Sequence, residues 1–364
     1  MGELPPTRHA PAAIFACDDG RSYAVSDVVA AAHFRGELDE PWLRLLVGLA
    51  AEEQAAEREL EPDDDAMQTL SDEFRSDRDL ITAEETEQWL EQRGLTLEDF
   101  SDFFVRKYWG DRLGAKIEPE ASKYDAATDE QRDLMTAELM LSGEFDRMAA
   151  ALSWRVAARR AAEHAEADPK AIASEQKDFL ARADIDENAL ADWLEGLRRD
   201  AAWFKEMLEL AVAYRQARAT RVTDALCRAE LAAARMPLMS VDLETIELES
   251  RDAANEAILC VRDDGLSLEE VAAEGGYPIR RETILLEDLP ADVHERILCA
   301  APGEVLDPLP RGDGFQLCRI HEKAEPGAAD PEVRHRIEER ILKSSFAELC
   351  ANHIRWRMPL TTIP

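Results

Sequence analysis

The sequence lacks the features by which several large protein classes are detected. Aromatic residues make up only 6% of its 364 residues, no run of 18 apolar residues occurs, and 43 Lys and Arg stand against 77 Asp and Glu. Without such a run, no ordinary helix spans a membrane. The net charge of −34 repels nucleic acid and anionic membrane surfaces. We therefore expect neither as a partner, whereas a basic peptide or protein would be attracted.

Catalytic and metal-binding motifs are also missing. The six cysteines form no C-x-x-C pair, and no G-x-S-x-G, G-x-G-x-x-G, P-loop or H-E-x-x-H motif occurs. His335 and Glu339 lie one helical turn apart, a pair that predicts a surface contact rather than a metal site. We expect no cofactor and no metal. The first 20 residues show no basic start followed by an apolar stretch, so we expect a soluble, cytoplasmic protein.

The residues that are abundant favour helices, and one helical pattern occurs twice. Hydrophobic residues reach 46%, and Ala, Leu, Glu and Arg, which are good helix formers, dominate the sequence. Residues about 30–115 and about 138–220 share tryptophan, capping and glycine positions at offsets of 104 to 107. The matching positions are Trp89 with Trp193, Thr96 with Asp200, and Gly36 with Gly143. The repeat predicts a duplicated helical domain.

The pattern changes after Pro237 to short extended and helical segments. Their order is β-α-α-β-α-β, with SVDLETIEL, ETILLEDLP and FQLCRI as the strands. A long helix then follows Asp330-Pro331. The sequence thus predicts an α+β, mostly helical fold. The predicted segments are two helical units at 1–125 and 126–236, the small sheet domain at 237–325, and at 326–364 a helix and tail that pack back on the helical part.

The order of motifs from about 240 to 325 resembles the parvulin family of prolyl isomerases. The segments that carry the resemblance are LSLEEVAAE at 266–274, Leu289-Pro290, Pro302-Gly303-Glu304-Val305, and Gly314-Phe315-Gln316-Leu317. In this resemblance the two active-site histidines of the family fall on Thr245 and Gln316. The family's Cys or Asp segment is absent, because Gly275-Gly276 runs almost directly into ETILLEDLP.

The architecture also resembles SurA-type and PrsA-type chaperones, in which helices surround a parvulin domain, and more closely parvulin-related peptide maturation proteins. The resemblance implies a peptide-binding, chaperone-like protein without catalytic residues, in which Thr245, Phe315 and Gln316 line what remains of the proline pocket. It implies a peptide or unfolded client, such as a ribosomally made precursor peptide beside its modifying enzymes.

Two other interpretations remain open from the sequence. Thr245 and Gln316 can still form hydrogen bonds, so the chain could be an active prolyl isomerase with atypical residues. It could also be a structural subunit of a peptide-modifying complex that has no peptide groove.

Overall fold

The structure is a computed structural model, and it contains two compact units. It describes residues 13–118, 122–162, 168–312 and 314–360. The first unit consists of residues 1–220 and 343–364, and the second of residues 221–342. The four segment boundaries predicted from the sequence stay predictions. Within the described ranges, no helix is long and apolar enough to cross a membrane.

Helices make up most of the first unit. They are α1 (Val25–Phe34), α2 (Asp39–Glu57), α3 (Asp64–Ser76), α4 (Ala83–Gln92), α5 (Leu97–Leu113), α6 (Asp129–Ser142), α7 (Glu144–Ala161), α8 (Pro169–Ala183), α9 (Leu190–Gly196) and α10 (Ala201–Arg221). A capping box begins α4: the Thr82 hydroxyl accepts from the backbone of Glu85, whose carboxylate accepts from the backbone of Thr82. Two otherwise free donors at the start of α4 are thereby satisfied.

The two segments of the predicted duplication have matching helix ends. Thr96 Oγ1 accepts a hydrogen bond of 3.1 Å from the backbone at the start of α5. Asp200 Oδ1 accepts the matching bond of 2.8 Å at the start of α10. Gly36 and Gly143 both take left-handed φ angles, +77° and +81°, which favour glycine. Helices α2–α5 form the first copy of this pattern and α7–α10 the second, preceded by α1 and α6 respectively.

Each copy has the same aromatic triangle in its core. In the first copy the ring centroids of Phe74 lie 5.3 Å from Trp89 and 5.1 Å from Phe100. In the second, Phe179 lies 5.0 Å from Trp193 and 5.2 Å from Phe204. Aromatic pairs at such separations are favourable beyond the area that they bury. The triangles therefore hold three helices together in the same way twice.

The two copies exchange a helix end. Phe34, at the end of α1, stacks on Phe179 of the second copy at 4.7 Å, while Leu141, at the end of α6, lies in the aromatic cluster of the first copy. Matching arginines close the contacts: Arg182 donates to the Phe34 carbonyl at 3.0 Å, and Arg78 to the Leu141 carbonyl at 2.8 Å. Each core thus requires a residue from the other copy.

A small antiparallel sheet joins distant parts of the first unit. Its strands, in the order β2-β1-β7, are β1 (Phe15–Cys17), β2 (Ser22–Tyr23) and β7 (Ile354–Trp356). Phe15 pairs with Trp356 in the ladder, and their ring centroids are 5.2 Å apart. The segment with Trp356 follows the long helix α15 (Pro331–His353). The pairing places residues 354–356 beside the first strand of this unit.

The second unit contains a four-stranded antiparallel sheet in the order β4-β3-β6-β5. Its elements are α11 (Asp224–Ala233), β3 (Ser240–Leu248), α12 (Arg251–Arg262), α13 (Leu268–Gly275), β4 (Ile279–Leu285), α14 (Ala291–Cys299), β5 (Leu309–Arg311), β6 (Gly314–Ala324) and the first part of α15. The α+β, mostly helical fold class is confirmed. One detail was wrong: the predicted order has three strands, whereas the structure adds the short strand β5, which pairs with β6.

Candidate functional site

Helices cover both faces of the four-stranded sheet. On one face α14 packs on side chains from the two central strands. The buried residues of this α14 face include Val241, Leu243, Val293, Ile297, Cys318 and Ile320. On the opposite face α12 and α13 pack on the sheet. Ala254 and Ile258 of α12 and Leu268 of α13 form a cluster with Ile246, Leu248 and Leu317 of the strands. Side chains alternate along a strand, so residues two apart in a strand lie on the same face. The register of the paired strands then shows which residues share a face.

Thr245 and Gln316 lie on the α14 face. Thr245 is directly opposite Cys318 in the ladder, and Gln316 is opposite Glu247. Thr245 and Gln316 are therefore diagonal neighbours across the two central strands. Thr245 is buried and Gln316 is half-buried. The structure brings these two predicted site residues together.

Phe315 lies on the other face. It pairs with Leu248 and packs with the cluster under α12 and α13. The structure therefore separates Phe315 from the two polar side chains. Adjacent residues of a strand point to opposite faces, so the order Phe315-Gln316 already contained the signal for this separation.

The thiol of Cys318, which lies opposite Thr245 in the ladder, is unreactive. Cys318 is 4% exposed, and burial raises the pKa of its thiol to about 12. A thiol must lose its proton to act as a nucleophile. At neutral pH Cys318 stays protonated and serves as a small apolar residue of the α14 face.

The imidazoles described in this unit lie away from Thr245 and Gln316. His294, on α14, has Nε2 2.8 Å from the carbonyl oxygen of Leu289. His321 lies on the α12–α13 side, with Nε2 3.5 Å from Glu244 Oε1, and this buried nitrogen has no hydrogen-bond partner among the described residues. His335 contacts Glu339 at 3.3 Å, and both are exposed, which is the surface contact that the sequence predicts.

Sequence reasoning missed a polar cluster on the face opposite Thr245 and Gln316. Glu244 is 4% exposed and pairs with Arg319 in the ladder. Among the described atoms, Glu244 Oε2 and Arg319 Nε have no hydrogen-bond partner. A register shift between Asp242 and Leu243 inserts His321 beside Glu244. Such a β-bulge cannot be seen in one sequence, although a Glu inside the apolar alternation of β3 was a visible signal.

Strand β4 forms an open edge of the sheet. It pairs with β3 only, and residues 279–283 are exposed. Alternate N–H and C=O groups of an edge strand point away from its neighbour and can pair with another extended segment. The strand contains Arg280 and Arg281, and Arg281 donates two hydrogen bonds to Asp242.

In the part of the chain that the structure describes, no three His, Cys, Asp or Glu side chains are grouped so as to hold a metal ion. The arrangement on the α14 face offers a hydroxyl, a carboxamide and a protonated thiol. These groups can donate and accept hydrogen bonds, but they form no pair for proton transfer at neutral pH.

Fold and site together define an α+β protein that combines a duplicated helical unit with a four-stranded antiparallel sheet. No family model matches the sequence, and no curated protein matches it. Solved structures similar to it are those of PrsA-type and SurA-like proteins, the two types of chaperone that the sequence resembles. They share low sequence identity with this chain.

The peptidylprolyl isomerase PrsA of Bacillus anthracis is 14% identical, with a TM-score of 0.34 over 56% of this chain and 96% of that one. PrsA of Bacillus cereus is 10% identical, with a TM-score of 0.37 over 62% and 86%. The SurA-like chaperones PEB4 and Cj1289 of Campylobacter jejuni are represented by a structure that is 10% identical, with a TM-score of 0.21 over 66% and 96%.

Proposed function

We propose that this chain is a chaperone-like protein that binds a peptide or unfolded client without strong prolyl isomerase activity. The observation that carries the proposal is the α14 face, where Thr245 and Gln316 occupy the positions that the parvulin resemblance gives to histidines. The similar structures, whose names include foldases, isomerases and SurA-like chaperones, are consistent with it.

The chemistry of the α14 face favours binding over catalysis. Prolyl isomerisation requires stabilisation of a twisted amide, whose formation costs about 18–20 kcal/mol in water. A hydroxyl and a carboxamide can orient a peptide by hydrogen bonds. Cys318 is buried and protonated, and His294 is engaged with a backbone carbonyl. Neither group supplies the polar network of an isomerase.

The edge strand supports the binding part of the proposal. An extended client segment can add to β4 as a further strand, with backbone hydrogen bonds that do not depend on the client's sequence. The net charge of −34 would bring basic clients to the surface faster. A chaperone needs this combination of attraction and sequence tolerance.

The proposed client is a ribosomally made precursor peptide that is held while modifying enzymes act on it. This finer proposal depends on the resemblance to peptide maturation proteins. A purely structural subunit of a modifying complex would bind the enzymes without any peptide. Pull-down of modifying enzymes in the presence and absence of peptide distinguishes the two roles.

Aggregation of a denatured basic protein, followed by light scattering, tests the proposal. We expect this chain to suppress aggregation at near-stoichiometric amounts. Failure of the unmodified chain to do so at any ratio would overturn the chaperone role.

Proline at neighbouring edge positions tests the role of β4. Glu282→Pro and Thr283→Pro each remove one N–H of the strand. The variant whose lost N–H points away from β3 should keep its melting temperature and lose client holding. The other should lose a ladder bond and therefore stability. If both variants hold client as well as the parent, β4 is not the binding edge.

A further inference from the structure

A cavity of about 410 Å³ opens in the helical unit between α2 and the end of α8. Its wall is a row of rings: Trp42 contacts Tyr124 at 5.6 Å, Tyr124 contacts His33 at 5.3 Å, and His33 stacks on Trp193 at 5.5 Å. The carboxylates of Asp39 and Asp125 also line it. Aromatic faces combined with carboxylates are the chemistry that binds organic cations.

The matching place in the first copy contains a cation from the chain itself. The guanidinium carbon of Arg93 lies 4.0 Å from the centre of the Trp89 ring, and Arg93 Nη2 lies 3.9 Å from Asp146 Oδ2. Asp146 is 4% exposed. An arginine therefore lies against an indole ring and is paired with a buried carboxylate.

The second site has the matching ring and a matching carboxylate, which is exposed here, but a leucine stands at the place of the arginine. Trp193 matches Trp89, and Asp39 matches Asp146 by the offset that relates Gly36 to Gly143. The residue that matches Arg93 is Leu197.

The backbones at these two helix ends are equivalent, so the match is secure. Leu95 N donates to Leu90 O at 2.9 Å, and Arg199 N donates to Leu194 O at 2.9 Å. The residues that follow Arg93 and Leu197 both have left-handed φ angles, +69° and +56°. The substitution of Arg by Leu therefore removes a charge at a fixed place rather than moving it.

The cations that remain near the second site are engaged or point outward. Arg182 also lines the cavity, and it donates to the carbonyl of Phe34 at 3.0 Å. Its match in the first copy is Arg78, which makes the same kind of bond while Arg93 is present as well. Lys123 lines the cavity as an exposed residue. The guanidinium carbon of Arg132 lies 5.0 Å from the centre of the Tyr124 ring, and Arg132 donates to the carbonyls of Tyr124, Asp125 and Gly196. Among the described residues, no arginine therefore forms an ion pair with Asp39 as Arg93 does with Asp146.

Polar atoms at the second site lack partners. Asp125 Oδ1 and both ring nitrogens of His33 are shielded from solvent and have no hydrogen-bond partner among the described residues. Burial lowers the pKa of His33, so its ring is neutral at neutral pH and does not compete with an incoming cation. A buried carboxylate oxygen without a donor costs free energy, and a cation in the cavity would offset part of that cost through its charge.

We propose that this cavity binds the cationic side chain of a client peptide, a lysine or an arginine, in the role that Arg93 has in the first copy. The cation would lie among Trp42, Tyr124 and Trp193, near Asp39 and Asp125. The client as the source of the cation rests on the proposed function, whereas the site itself depends only on the helical unit. The site also gives a local reason why an acidic protein would select basic clients.

Two probes test the site. The first is Nα-acetyl-lysine methylamide, titrated while the indole N–H signals of Trp42 and Trp193 are followed by NMR. The second is a ten-residue peptide with one central lysine, compared with the same peptide carrying Nε-acetyl-lysine. We expect the small cation to shift both indole signals, and acetylation to weaken peptide binding about tenfold.

Two variants locate the effect. Asp39→Asn should weaken binding of the lysine peptide, whereas Glu40→Gln, an equal charge change at the next exposed position, should not. Leu197→Arg should fill the site from within and block the lysine peptide, and Leu197→Met should leave binding unchanged. If Leu197→Arg does not fold cooperatively, the Asp39 comparison decides.

The outcomes separate this inference from the proposed function. Equal binding of both peptides, with no indole shift from the small cation, would overturn the cation site and leave client binding intact. Indole shifts from the small cation that Asp39→Asn weakens, without binding of either peptide, would support the site and overturn client binding. No response to any probe would overturn both.

Discussion

The two copies of the helical pattern have the same backbone arrangement but differ in the ion pairs that their side chains form. Two arginines of the first copy pair with carboxylates on α7 and α6: Arg93 pairs with Asp146, and Arg106 donates two hydrogen bonds to the buried Glu138. The positions in the second copy that match Arg106 and Glu138 are Leu210 and Ala31, both buried and apolar. The second copy has fewer buried charges and a cavity lined by aromatic rings.

The difference shows which parts of the repeat the fold requires. Aromatic triangles, helix caps and left-handed helix ends occur in both copies, so the backbone depends on them. The ion pairs Arg93–Asp146 and Arg106–Glu138 have no counterpart at the matching positions, so these two pairs are replaceable. A buried ion pair often contributes little net stability compared with apolar residues of similar volume. One copy could therefore lose its arginine and gain an open cavity without losing its fold.

The largest expected effect tests the exchange of helix ends. Phe34→Ala should lower the free energy of unfolding by about 3–5 kcal/mol, because a buried ring leaves a cavity. Hydrogen exchange should lose protection first in α8–α10, although Phe34 belongs to the first copy. Leu141→Ala should instead lower the hydrogen-exchange protection of α3–α5 first. Loss of protection within the residue's own copy in both variants would contradict the exchange.

The buried ion pair of the first copy gives the next effect. Glu138→Ala should cost about 3–5 kcal/mol, since Arg106 would remain buried without its partner. Adding Arg106→Leu, which reproduces the residues of the second copy, should recover most of that loss. Denaturant unfolding of both variants measures this. A double variant as unstable as the single one would mean that the copies are not interchangeable at these positions.

A smaller effect is expected at the helix ends. Gly94→Ala should lower stability by about 1–2 kcal/mol, because alanine is strained at a left-handed φ. Arg198→Gly, at the matching position of the second copy, should raise stability or leave it unchanged, since it relieves that strain but loses the ion pair with Asp129. Thermal unfolding compares them. Unchanged stability in Gly94→Ala, or a clear loss of stability in Arg198→Gly, would contradict the equivalence of the two helix ends.

The smallest effect concerns the ends of α2 and α7. The last turn of α2 has no basic residue, whereas α7 ends with Arg160, which donates to Asp18. Hydrogen bonds from Arg160 and His353 lower the pKa of Asp18. Its contribution is therefore complete above about pH 4, the pKa of an unfolded Asp, and is lost as the pH falls below that value.

Melting temperatures of the parent and Asp18→Asn, measured from pH 7 to pH 3, test this contribution. The parent should be more stable at pH 7, and the gap should shrink as the pH falls. Asp19→Asn, one residue away, is the matched control. A gap that grows toward low pH would have the wrong sign for a lowered pKa.

Local signals predicted much of the fold. Thr82-Ala-Glu-Glu85 and Ser267-Leu-Glu-Glu270 have the sequence pattern of capping boxes, and both boxes are present. The tryptophan and glycine matches indicated the duplication. The exchange of helix ends was not predictable, because it depends on which copy of an equivalent surface each helix packs against. Both pairings bury similar residues, so one sequence without coordinates does not distinguish them.

The candidate site was partly predictable. Thr245 and Gln316 lie on one sheet face as expected, whereas Phe315 points to the other face because neighbours in a strand alternate. The bulge that brings His321 to Glu244 depends on the register between distant strands. The cation cavity was hidden for a different reason: it becomes visible only when Leu197 is compared in space with Arg93. Cellular location stays a prediction.

Cis–trans exchange of a proline peptide bound to this chain tests the central claim most directly. NMR exchange spectroscopy on a labelled peptide reports binding and isomerisation in the same sample. We predict line broadening or shifts of the peptide signals from binding. Cis–trans exchange should stay on the uncatalysed time scale of about tens to hundreds of seconds. Faster exchange that disappears in Gln316→Ala or Thr245→Val would contradict the account and identify an active isomerase.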